Sequence, residues 1–343
     1  MKQLFFFLPS ILLMLAFSEA HAQETSPHYH LINKISLGGE GGWDFIAFEE
    51  SSRRLFISHA THVIVYDVDN EKIVGNIANT EGVHGIAFAR EFNRGFISNG
   101  KSNTVLMFDL LTLDTLKRIP VGENPDAIIF DPFSKKIIVC NAKSKNASVI
   151  DAASGAVVKT IDLGSGPEFA VSNEAGHIYI NLEDENKVLD IDITTFTVVH
   201  HWSLSPGEGP TGIAMDKKTN RLFIGCANKL MMILDAKSGR VIDKLPIGKG
   251  VDAVVFDPEK QLAISSNGEG NLTVVHEISP NKFAVTDTIK TKTGARTEAL
   301  DFSTHTLYLP TADFLPASAP TNEQPHPRPQ AVPNTFRVLK FGY

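Results

Sequence analysis

Apolar residues in this chain come in short runs, each closed by a polar break rich in Asn, Asp, Gly or Pro. The stretch KGVDAVVFDPEKQLAISSNG (249–268) shows the unit: an apolar run, a polar break, then a second apolar run. Runs of this length, dominated by Val, Ile, Phe and Leu, predict β-strands. One hairpin of this size cannot bury enough surface to hold itself folded in water, so its apolar faces need partners.

The partners are copies of the same unit. Aligned on Asp252, the copies read GGWDFIAF, GVHGIAF, ENPDAIIF, SGPEFAV, EGPTGIAM, GVDAVVF and ARTEALDF. The aligned residues are Asp44, His84, Asp126, Glu168, Thr211, Asp252 and Glu298, at successive spacings of 40, 42, 42, 43, 41 and 46 residues. A period of this length with four short strands is the mark of a propeller blade. The expected fold is therefore all-β: a seven-bladed β-propeller of four-stranded blades. In the second unit the strands are GIAFA (85–89), GFISN (95–99), TVLMFD (104–109) and TLKRIPVG (115–122), named A to D from the axis outwards.

The two ends of the chain fit together. The last unit supplies strands at 298–302, 306–311 and 336–341, and no fourth. Near the start, HYHLINKISLG (28–38) reads as a spare strand D, comparable to VVKTIDLG (157–164). The N-terminal strand should join the last blade, closing the ring and removing an open sheet edge. Residues 23–343 then form one domain.

Two polar columns run through the units. Strand B ends on His59, Asn99, Asn141, Asn181, Cys226, Asn267 and Thr311. Strand C ends on an acid, at Asp67, Asp109, Asp151, Asp192, Asp235 and Glu277. An acid there hydrogen-bonds the backbone of its own turn, so this column is read as structural.

Three segments depart from the repeat or qualify it. Residues 1–22 combine Lys2, an apolar run at 4–17 broken only by Pro9 and Ser10, and an A-x-A pattern ending at Ala22. That is the pattern of a signal peptide cleaved after Ala22, and it predicts a periplasmic or secreted protein. No later segment is long and apolar enough to span a membrane. The connection at 312–335 carries six prolines where other units have a few residues. Such a loop is stiff, extended and often functional. Cys140 and Cys226 fall in non-adjacent units and are read as buried small hydrophobes, not a disulfide.

Charge narrows the partners. The net charge is −7, and the leader removes one Lys and one Glu, so the mature chain keeps it. This argues against a nucleic-acid partner, which favours a basic face, and leans towards cationic or neutral ligands.

The strand-B tetrads FISN and IVCN, the YIN at 179–181, and the block ASVIDAASGAVVKTIDLG resemble the YVTN-type propeller repeat. Through GPTGIAMDKKTNRLFIGC, GVDAVVFDP, SSNGEGNLTVVHE and GARTEALDFSTHTLYLPTADF, the chain as a whole resembles the YncE-like family of exported seven-bladed propellers. The resemblance implies the fold; it bears less on activity, because one fold hosts many functions.

In a propeller the D–A and B–C connections emerge on one face. The ring Asp44, His84, Asp126, Glu168, Thr211, Asp252 and Glu298 should therefore converge on one mouth of the central channel. Crowded carboxylates raise one another's proton affinity or recruit a cation. Oxygen ligands suit Ca²⁺ or Mg²⁺ and the imidazole admits a transition metal, so a divalent cation is the candidate cofactor. The same residues are equally suited to hydrogen-bonding backbone between blades. Arg296 would clamp an anionic or carbonyl-bearing ligand, or pair within the acidic ring. Trp43 would stack on a ligand at the mouth, or wedge between blades. His28, His30, His200, His201, Trp202, Asn228, Met231, Met232 and His305 are read as structural.

No covalent haem motif, nucleophile elbow, P-loop or zinc-protease helix is present in the sequence. The expected function is non-catalytic binding of a small molecule, ion or periplasmic protein by a monomer, through the mouth and the 312–335 loop. The alternative is a lactonase-like hydrolase or lyase. It would use Glu168 or Glu298 as base, His84 as acid or metal ligand, and Arg296 to stabilise developing negative charge.

Overall fold

The computed structural model describes residues 28–316 and 329–343, together with Met1. The expected leader beyond Met1, and the middle of the proline-rich loop, lie outside the described residues.

Seven four-stranded antiparallel sheets form the ring. Blade two shows the plan: Val83–Ala89 innermost, then Arg94–Asn99, Thr104–Asp109 and Thr115–Pro120. Burial explains why these segments are strands. The B and C strands are covered on both faces by neighbouring blades and read as unbroken apolar runs, as in Arg221–Cys226 and Leu230–Asp235. The outermost strands, such as Ala156–Asp162, are largely exposed. Seven apolar clusters hold the ring, one at each junction between neighbouring blades.

The last blade is assembled from both ends of the chain. Its order is Ala299–Asp301, Thr306–Thr311, Arg337–Gly342 and His30–Ser36. The N-terminal strand lies antiparallel to the C-terminal one, with Ile35 opposite Val338. Ile35 and Val338 enter the core between blades seven and one, and Tyr29 enters the core between blades six and seven.

The polar columns are structural. Asp67, Asp109, Asp151, Asp192 and Asp235 accept hydrogen bonds from the amides of the turns that follow them. Glu277 differs: it is buried, and neither carboxyl oxygen has a partner. The strand-B ends are buried too. Asn141 donates to Asn146 and Ser148, and Asn267 to Asn271 and Thr273, tying their own B–C turns. Cys140 and Cys226 are free, buried thiols.

A second acidic column fixes the register of strand A. Asp131, Asp216, Asp257 and Asp301 end this strand and cap the A–B turn. Four residues after each, a side chain adopts the left-handed conformation: Lys135, Asn220, Gln261 and His305, with φ of 61°, 58°, 55° and 54°. Arg53 and Asn93 occupy the same place in blades one and two.

Candidate functional site

Counting nine residues back from each left-handed turn residue gives Asp44, His84, Asp126, Thr211, Asp252 and Arg296. With Glu168 of blade four, these residues line one cavity of about 420 Å³ at the channel mouth, hereafter the cup. The seventh seat belongs to Arg296, 44 residues after Asp252, not to Glu298. Glu298 lies two positions further along the chain, immediately before the strand Ala299–Asp301. It is buried, and it borders a different cavity of about 400 Å³ on the far side of the channel. Two residues preserve the facing of a side chain but move it roughly 6–7 Å along a strand.

The rim is held in place by hydrogen bonds between blades. Ser98 Oγ of blade two donates to the carbonyl of Asp126 at 2.5 Å, and Ser266 Oγ of blade six to that of Arg296 at 2.5 Å. Asn181 Nδ2 of blade four donates to the carbonyl of Thr211 at 2.7 Å. Thr211 Oγ1 in turn donates to the carbonyl of Val251 at 3.0 Å, so its hydroxyl serves the scaffold. Thr297 Oγ1 donates to the carbonyl of Asp44 at 2.6 Å. Side chains on so constrained a backbone are preorganised.

Charge in the cup is unbalanced. Five carboxyl groups, on Asp44, Asp126, Glu168, Glu183 and Asp252, face one imidazole and one guanidinium. Glu183 comes from the B–C connection of blade four and went unnoticed in the sequence, because it lies outside the aligned column. His84 Nδ1 is 2.6 Å from Asp44 and 3.6 Å from Asp126. Arg296 Nε is 2.6 Å from Asp252, and its Nη2 is 3.5 Å from Asp44. Burial opposes protonation of His84, but Asp44 and the other carboxylates outweigh it and raise its pKa.

Burial holds three of these acids above the usual carboxylate range. Burial, then Asp126 and Glu183, push Glu168 up to about 8. Burial pushes Asp252 up to about 7 against the pull of Arg296. Asp126 rises to about 6, again through burial, with His84 opposing. Asp44, His84 and Asp126 place ligand atoms within 4.8 Å of one another, a set that would suit a transition metal better than Ca²⁺. The close Asp44–His84 pair already satisfies the imidazole as an ion pair.

Two further compartments adjoin the cup. Phe45 borders the cup and the inner chamber alike. Its ring meets that of Phe169, from the opposite side of the propeller, at 5.0 Å between centroids. This pair stands between the acidic mouth and a chamber lined by Phe48, Phe88, Phe130 and aliphatic side chains. Glu168 thus lies in the cup and Glu298 beside the chamber, so of the two alternative bases only Glu168 shares a compartment with His84 and Arg296. On the outer side, Trp43 lines a groove of about 510 Å³ that shares Arg296 with the cup. Trp43 also packs on Phe314 and Phe336, at 5.8 Å and 5.1 Å.

Other sequence candidates are structural. His305 pairs with buried Asp257 at 2.6 Å, and His177 and His200 share buried Asp190. His28 pairs with Asp287 on the outer edge. Met231, Met232 and Cys226 are core residues.

No curated protein matches the chain. Among solved structures, the fold is shared with a chain of the mitotic checkpoint complex (TM-score 0.72, 12% identity, 100% of this chain and 99% of that one). It is shared also with U3-55K (TM-score 0.75, 9% identity, 90% and 97%). A chain of Kuenenia stuttgartiensis hydrazine synthase aligns less well (TM-score 0.50, 18% identity, 74% and 96%). At these identities the likeness is one of fold. Residues 54–175 match the model of the YNCE-like beta-propeller family, and the protein is a seven-bladed β-propeller similar to the members of that family.

Proposed function

We propose that this protein is an exported, non-catalytic binding protein whose cup captures a small organic cation. The observation that carries this reading is the charge deficit of the cup: five carboxyls on a rigid rim, with two cationic side chains among them. The rim already binds one guanidinium, that of Arg296, between two carboxylates. Burial, with neighbouring carboxylates, holds the proton affinity of Glu168 and Asp126 above the usual carboxylate range. An ammonium group entering there exchanges for protons and gains charge-assisted hydrogen bonds in a partly buried setting. Export is supported by the leader pattern at residues 1–22.

The test is calorimetric titration of the mature protein with n-butylamine. Mass spectrometry of protein secreted by its own host should find Gln23 at the N-terminus. Binding is expected at pH 8 and should be about tenfold weaker at pH 5.5, where Glu168, Asp252 and Asp126 gain protons and the amine stays charged. Asp126→Asn and Glu168→Gln should each weaken it about tenfold or more. Equal affinity at both pH values, or in both variants, rejects the reading. Tight Mn²⁺ or Zn²⁺ binding abolished by Asp126→Asn, without amine binding, replaces it with a metal site.

A further inference from the structure

The cup does not end at its rim. Trp43, Asp44 and Phe45 are consecutive and between them reach three spaces: Trp43 the outer groove, Asp44 the cup, and Phe45 both the cup and the chamber beyond the aromatic pair. Arg296 borders both the groove and the cup, so the two spaces meet at one side chain. The cup holds about 420 Å³ and the groove about 510 Å³. Each falls within the usual range of small-molecule sites.

The two spaces differ in chemistry. The cup is acidic. The groove has a floor of glycine backbone at Gly41, Gly42 and Gly294 and walls that include Trp43, Phe314 and Pro333, with Glu40 and Arg296 as its charged members. Glycine is needed at position 294. A Cβ on Gly294 would stand 2.5 Å from the Phe314 ring, so glycine lets that ring lie against the backbone. A Cβ on Gly42 meets nothing within 4 Å, so this floor position opens on free space.

The groove wall is also braced. The base of the proline-rich loop forms a short ladder, with Leu315 N–H donating to the Gln330 carbonyl at 2.8 Å and Val332 N–H to that of Asp313 at 2.7 Å. Lys292 and Arg337 both pair with Asp313 at 2.5 Å. The Trp43 ring is set by Phe314 on this ladder and by Phe336 beyond it.

We propose that cup and groove form one bipartite site for an organic cation carrying a flat apolar arm, an arylalkylammonium. Its ammonium sits among Asp126, Glu168 and Asp252. Its arm passes Arg296 and lies against Trp43 and Phe314. An aromatic shelf beside a carboxylate cluster suits such a molecule because ring faces attract cationic stems as well as apolar rings. A purely apolar ligand leaves the cup unserved, and a bare cation leaves the groove empty.

This inference rests on the cation reading of the cup, and the experiment separates the two. Three probes are titrated at pH 8: n-butylamine, 4-phenylbutylamine and the neutral 4-phenylbutanol. Butylamine is expected to bind weakly. Phenylbutylamine should bind at least tenfold tighter and quench Trp43 fluorescence, and the alcohol should bind at least tenfold more weakly than phenylbutylamine. Gly42→Leu fills the groove floor without a backbone clash. It should remove the advantage of phenylbutylamine and leave butylamine affinity unchanged. Trp43→Ala should act in the same direction, and a variant that still binds butylamine is folded at the cup. Equal affinities for the two amines overturn the bipartite site while the cup reading stands. An unchanged amine ratio in Gly42→Leu does the same. Tight binding of the alcohol overturns the coupling of groove to cup. No binding of either amine removes both readings.

Discussion

Glu298 shows how much one residue's position along a strand can matter. The equivalent depth in the other six blades is filled by Ile46, Ile86, Ile128, Ala170, Ile213 and Val254, all buried. Glu298 puts a carboxyl into that aliphatic column, neither oxygen has a hydrogen-bond partner, and burial raises its pKa well above the usual carboxylate range. An unsatisfied buried polar group costs about 1–3 kcal/mol. Glu298→Ile should therefore stabilise the fold by about that amount at pH 8, read as a higher Tm. The sign has a pH signature. The folded carboxyl keeps its proton after the unfolded one has lost it, so the penalty grows as pH rises above the unfolded value near 4.5. The gain in Glu298→Ile should be smaller at pH 4 than at pH 8; an equal or inverted gain would falsify this account. The sequence placed Glu298 at the rim because its blade reads DFST where blades three and six read FDP, which hides the capping acid Asp301 two steps out of place. The caps at Asp131, Asp216 and Asp257 held the correct count all along.

At the scale of elements, legibility followed burial. Thr104–Asp109 and Thr306–Thr311 were readable to the residue, because both faces are covered and the apolar run has sharp ends. Strand A was less so. It borders the channel, admits Gly, Asp and Glu, and shrinks to Ala299–Asp301 in the last blade. The closing strand was readable because its pattern repeats that of every outer strand, although only its partner across the ring gives it a place. That closure depends on Ile35. It is 9% exposed and belongs to the core between blades seven and one, whereas Val158, on the free outer strand of blade three, is 47% exposed. Ile35→Asp should cost about 2–5 kcal/mol, through lost burial and a charge without a partner. Val158→Asp should cost less than about 1 kcal/mol. Denaturant midpoints of the two variants decide the point: equal losses mean that the N-terminal strand adds no more to the ring than any outer strand.

For the molecule as a whole, the pairing of Arg296 within the acidic ring was legible, but the groove was not, because it joins residues from blades one and seven that only ring closure brings together. What ring closure concentrates at the mouth should also govern the pH dependence of the entire fold. Glu168, Asp252 and Asp126, raised to about 8, 7 and 6, stay protonated in the folded chain while their unfolded counterparts ionise. Their contribution is present in full below the unfolded values and is lost as pH rises through the folded ones, so stability falls from pH 5 to pH 8. His59 works from the other side. It is 1% exposed, stacked on Phe336, and burial lowers its pKa to about 4. Its unfolded form takes up a proton near pH 6.5 that the folded form refuses, so stability falls as pH drops from there towards 4. The two slopes cross, and Tm should be highest near about pH 6. Glu168→Gln should raise Tm at pH 8, by on the order of 1–3 kcal/mol of stability, and change it little at pH 4. It would flatten the alkaline limb alone, since His59 lies outside the cup. A bound ammonium ion should flatten the same limb in the unmutated protein by stabilising the ionised carboxyls. A Tm curve whose alkaline limb ignores both Glu168→Gln and n-butylamine would mean that the mouth carboxyls titrate independently of folding, and that the cup holds no unmet demand for a cation.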